Sequence, residues 1–131
     1  MFTIFFGVFF VVTSCLDLRE EGKRRSGIYD ISFGDEKRKV FCDMNTLGGG
    51  WTVIQRRGDF GNAPDFFLRN WTEYRNGFGR PDRELWIGLE AMFLLSNVEP
   101  VQVSIIYYLV KVHSVFKTCR CMNEYQLMDI A

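Results

Sequence analysis

Along the chain the spacing of hydrophobic and polar positions changes often, which predicts short elements of both kinds. "LDLREEGKRR" predicts a short charged helix that starts after Cys15 and runs to about Arg25, where Ser26 and Gly27 break it. "GIYDISF", Gly27 to Phe33, reads as a strand. The polar "GDEKRK" of Gly34 to Lys39 reads as a turn and "VFCDM" as the returning partner, so a β-hairpin is expected. Three glycines, Gly48 to Gly50, then cost chain entropy that only a required backbone conformation justifies, so they mark a sharp bend. "WTVIQRR" follows as a strand with Trp51, Val53 and Gln55 on one face and Thr52, Ile54 and Arg56 on the other. A turn at "GDFGN" leads to aromatic positions Phe66, Phe67, Trp71, Tyr74 and Phe78, spaced as an irregular helical stretch packed on a core. Leu85 to Ile87 suggests a short strand, and Leu89 to about Leu95 an amphipathic helix ended by Ser96 and Asn97. "VQVSIIYYLVKVHSVF" is rich in β-branched and aromatic residues and predicts one or two strands, with no clear turn before Lys117. The expected fold class is α+β.

Composition narrows the function. A chain of 131 residues holds one modest domain, and 47% apolar with 24% charged residues is the balance of a globular protein. The 16 basic and 16 acidic side chains cancel, so no net field attracts nucleic acid or an anionic membrane. The glycine run is no phosphate loop, because no lysine followed by serine or threonine comes after it and the next element is a strand.

The apolar run from Phe2 to Val12 is too short to span a bilayer. Residues 1–14 are expected to be a secretory signal, with Val12 and Ser14 at the small-residue positions before a cut at Cys15. The competing reading is a buried first element of the fold. Secretion would place the chain in an oxidising compartment, where Cys15 and Cys42 can pair; the chain-entropy model then gives about 3 to 4 kcal/mol of stabilisation.

Cys15, "SGIYDI", "VFCDMNTLGGGWTVIQRR", "FFLRNWTEYRNGFG" and "ELWIGLEAMFLLSN" together resemble, in order and spacing, the start of a fibrinogen-related domain. This is the C-terminal globular domain of fibrinogen chains, shared by ficolins, tenascins, angiopoietins and techylectin-like lectins; the wording is most similar to the techylectin and ficolin branch. The resemblance covers about residues 15–100, roughly the first half of such a domain, and residues 101–131 read as a divergent tail. It implies a Cys15–Cys42 disulfide stapling a small hairpin subdomain, followed by the start of a central antiparallel sheet with short helices, truncated. Trp51, Trp71 and Trp86 become core residues. The family's calcium loop and its pocket for acetylated sugars lie in a later part not found here, so no cofactor is expected and the ligand residues are unknown.

Other candidates are local. "NWT" at Asn70 to Thr72 is an N-glycosylation triplet in a segment where Trp71 is expected to be buried. Arg57, Gly58 and Asp59 spell an adhesion tripeptide, but at a strand end turn chemistry explains the glycine and aspartate. His113, Cys119 and Cys121 are possible soft ligands without a fourth partner, so no metal site is expected. No nucleophile motif is present, and the carboxylates Asp82 with Glu84 and Glu20 with Glu21 read as solvated surface, so catalysis is not expected. The expectation is a secreted, extracellular, non-enzymatic, lectin-like protein of innate immunity whose partners are carbohydrate or extracellular protein. The alternatives are a structural, adhesion or clotting role, or a truncated product without function.

Overall fold

The structure, a computed structural model, describes residues 11–98, 101–107 and 115–121. Helix α1 spans Cys15–Glu20 and is built by its first turn: the Ser14 hydroxyl accepts from the Asp17 N–H, while the Asp17 carboxylate accepts from the N–H groups of Ser14 and Thr13 at 3.0 and 2.7 Å. Its end falls earlier than the expected Arg25. Gly22, at φ 101°, donates to the Arg19 carbonyl and Lys23 to that of Leu18, the reciprocal pair of bonds with which a glycine closes a helix.

Strands β1 (Gly27–Phe33) and β2 (Glu36–Asp43) form the hairpin around a two-residue loop. Gly34 takes φ 63° at the first loop position, where such turns favour glycine. The polar Glu36 to Lys39, expected as turn, belong to β2. Lys39 stands opposite Asp30 and its ammonium lies 3.1 Å from both carboxylate oxygens, so the charged residues decorate a strand face. The other face buries Ile31, Phe33, Val40 and Cys42.

A 3-10 turn at Thr46–Gly48 leads into β3 (Trp51–Arg57). After it come α2 (Trp71–Asn76), β4 (Phe78–Gly79), β5 (Leu85–Trp86), α3 (Leu89–Val98), β6 (Val101–Tyr107) and β7 (Val115–Cys121). All seven strands join one antiparallel sheet. β3 is its axis. A strand has two edges, yet β3 pairs with three partners: β2 at Trp51 and Thr52, β5 at Gln55 and Arg56, and β7 along Thr52 to Arg57. β2 and β5 therefore share one edge in succession and β7 takes the other. The β3–β7 register shifts between Val53 and Gln55, a bulge at Ile54 that breaks strict alternation. Trp51 through Ile54 and Arg56 are all buried, although Trp51, Thr52 and Val53 precede the bulge and alternate faces, so both faces of β3 are covered here.

The core lies where α1 and the hairpin meet β3 and α3, with Cys15, Ile31, Cys42, Ile54 and Ala91 at its centre. Cys15 and Cys42 form a disulfide across a Cα separation of 5.4 Å, both fully buried. The bridge ties the entering helix to the hairpin.

Candidate functional site

The glycine bend is a close-packing device. A Cβ on Gly49 would stand 2.1 Å from the Met44 carbonyl oxygen, and one on Gly50 2.9 Å from Leu16 Cδ1. The tight passage delivers Trp51 into the interior, 2% exposed, with its indole N–H donated to the Thr46 carbonyl at 2.8 Å. Asp43 fixes the preceding turn by accepting from the N–H groups of Asn45 and Thr46 at 2.9 and 3.0 Å. Burial pushes the Asp43 carboxyl up, but hydrogen bonds from Thr46 and Asn45 and the charge of Arg56 outweigh it and hold the group below its ordinary 3.8. An open hollow of about 350 Å³ lies over this turn, lined by Ser26, Phe41, Asp43, Thr46, Val53 and Arg56. Its acid is engaged by the turn, and its guanidinium lies 4.2 Å over the Phe41 ring and donates to the Pro81 carbonyl at 2.9 Å. Both charged groups serve the scaffold.

At the other end of β3, Arg57 pairs with Glu84 at 3.1 Å and lies 3.9 Å over the Phe67 ring; Asn62 donates to the second Glu84 oxygen at 2.9 Å. The Glu84 side chain is 7% exposed. This corrects the reading of Glu84 as solvated surface. A carboxylate removed from water needs a cation and hydrogen bonds, and Arg57 and Asn62 supply them from residues 27 and 22 positions away. Nothing local in the sequence signals that pairing. The adhesion tripeptide is divided by it: Arg57 points into the clamp, and Asp59 is exposed on the turn.

The aromatic stretch also departs from expectation. Phe66, Phe67, Tyr74, Phe78 and Trp86 meet edge to face at centroid distances of 5.0 to 5.9 Å. Tyr74 donates its hydroxyl to the Phe67 carbonyl and Trp86 its indole N–H to the Tyr74 carbonyl. Trp71, expected in the core, is 72% exposed. It occupies the first position of α2, immediately after the cap Asn70, and is exposed there, while Tyr74 three residues on is half-buried against Phe78 and Trp86. The Asn70 side-chain oxygen accepts from the Glu73 N–H at 2.9 Å, and the Glu73 carboxylate accepts from the Asn70 N–H at 3.1 Å.

His113 lies outside the described residues, as do the side chains of Cys119 and Cys121; along the backbone Cys119 stands opposite Thr52 and Val103, and Cys121 opposite Val101. Among the described residues no group of three or more His, Cys, Asp or Glu is placed to hold a metal ion. No helix among them is long and apolar enough to cross a membrane.

The family model for "Fibrinogen beta and gamma chains, C-terminal globular domain" matches residues 11–127. The chain belongs to this family. The match begins four residues before Cys15 and runs on to residue 127. Techylectin-5A of Tachypleus tridentatus is 44% identical over 91 residues, covering 65% of this chain and 30% of that protein. Angiopoietin-2 of Canis lupus familiaris is 41% identical over 105 residues, covering 79% of this chain and 19% of the relative. The chain thus spans less than a third of the curated relatives' length. Among solved structures, the fibrinogen-like globe domain of human ANGPTL6 superposes with a TM-score of 0.71 at 33% identity, over 80% of this chain and 46% of that one. The corresponding domain of human ANGPTL2 gives 0.70 at 35% identity, over 82% and 49%.

Proposed function

We propose that the protein is a secreted, non-enzymatic recognition protein of lectin-like character, acting on acetylated sugars of the kind displayed by microbes, in which the described residues are the scaffold and not the ligand contacts. The similarity to Techylectin-5A carries the lectin reading. Support for the scaffold role comes from the charged groups: Asp43, Arg56, Arg57 and Glu84 are each committed to a partner within the fold. A buried disulfide in a domain of this size favours an oxidising, extracellular setting. Calcium, which the resemblance assigns to the later part of the domain, would be held by residues other than those described.

The test is a chimera in which residues 11–121 replace the corresponding part of Techylectin-5A. Passed over immobilised N-acetylglucosamine, the chimera is expected to be retained with calcium and released by chelator, whereas this chain alone is not retained. A folded chimera that does not bind would contradict the lectin-like scaffold reading.

The angiopoietin similarity favours a second reading, an extracellular protein as the partner. Retention of this chain by a protein surface that free N-acetylglucosamine does not compete away would select it.

A further inference from the structure

The side chain of Asn70 has an oxygen and a nitrogen, and α2 engages the oxygen. Oδ1 caps the helix by accepting from the Glu73 N–H, with Asn70 itself in an extended conformation at φ −78° and ψ 172°. The amide nitrogen is the atom to which an N-linked glycan attaches, and the amide of a glycosylated asparagine keeps its carbonyl oxygen as an acceptor. Cap and glycan are therefore compatible on the same side chain. Leu68, Asn70, Trp71, Thr72, Arg75 and Asn76 are all exposed, so the space around the amide is open to a bulky substituent. A buried Trp71 would have drawn the triplet against the core; at 72% exposure it does not. Asn70-Trp71-Thr72 is also the one Asn-x-Ser/Thr triplet in the sequence.

We infer that Asn70 is an N-glycosylation site whose amide caps α2 and carries the sugar at once. The donor is an oligosaccharide linked to a polyprenyl diphosphate. The Asn70 amide nitrogen forms a C–N bond to the anomeric carbon of the first N-acetylglucosamine as the C–O bond to diphosphate breaks. The diphosphate leaves with the bonding electron pair, the amide gives up one proton, and nothing is oxidised or reduced. The site depends on the extracellular reading only for access to the transferring enzyme.

The full chain, carrying an added cleavable leader so that targeting does not depend on its own first residues, would be translated into microsomes. Thr72→Ala removes the triplet and leaves the cap. Asn70→Asp removes the attachment nitrogen and keeps an acceptor that caps well. The expected result is a single mobility step, abolished by peptide N-glycosidase and absent from both variants, with both variants as protease-resistant as the deglycosylated parent. An unmodified parent, or a step that persists in Asn70→Asp, would overturn the assignment. Expression in parallel without the added leader reads secretion separately, so failure of the extracellular reading is distinguishable from failure of the site.

Discussion

Gly49 and Gly61 are both at positive φ, 77° and 81°, and differ in what surrounds them. A Cβ on Gly61 meets nothing within 4 Å, whereas one on Gly49 would overlap the Met44 carbonyl at 2.1 Å. Gly61→Ala thus isolates the backbone cost of a left-handed alanine, about 1 to 2 kcal/mol. Gly49→Ala adds a clash with backbone that cannot move without dislodging the turn into β3, and puts alanine at φ 77° and ψ −177°, a region essentially reserved to glycine, so the expected loss is on the order of 3 kcal/mol or more. Urea denaturation of the two variants checks the difference; equal losses would show that close approach is not what the glycine run serves. The bend itself was legible in the sequence, because three consecutive glycines have no cheaper explanation. The fate of single side chains was less so. Trp71 and Glu84 each run against their type, one an exposed aromatic and the other a buried acid; the burial of Glu84 depends on Arg57 and Asn62, partners distant in sequence that no local pattern encodes.

Elements were read well where their signal is local and poorly where two signals compete. The hairpin follows from its alternation and α3 from its amphipathic spacing, while β3 is marked by the glycine bend before it and the turn chemistry after it. The end of α1 was missed because Gly22 sits inside a charged run that looks helical, and a closing glycine there outweighs the helix preference of the residues after it. Glu36 to Lys39 looked like a turn because they are polar, yet strand pairing needs only one apolar face. The turn between β2 and β3 depends on a charge. The Asp43 carboxyl has its folded pKa below 3.8, so its contribution is present above the unfolded value and is lost as the pH falls through the folded one. Asp43→Asn is expected to lose on the order of 1 kcal/mol near neutral pH. The deficit should shrink once the parent's own carboxyl protonates, below about pH 4. Denaturant midpoints across that range measure it, and a pH-independent deficit would mean that the charge plays no part in holding the turn.

At the scale of the molecule, the sheet topology centres on β3. It is the strand on which the α1 and hairpin unit, the β4–β5 pair and the strands after Pro100 are assembled, and its edges are divided among β2, β5 and β7. The first half of that arrangement could be inferred from the order of the motifs. The closing of β3 by β7 could not, because "VQVSIIYYLVKVHSVF" is rich in β-branched and aromatic residues and holds no glycine, proline, asparagine or aspartate to divide it into two strands. The same closure gives β6 and β7 a structural task in the sheet. Amide hydrogen exchange across β3 tests this account most directly. The account predicts that Thr52 to Arg57 are among the slowest-exchanging amides in the chain, at the level of Ile31 and Val40, and that ending the chain at Pro100 accelerates exchange in β3 while leaving the hairpin protected. Fast exchange in β3 of the full chain, or no change on that truncation, would contradict it.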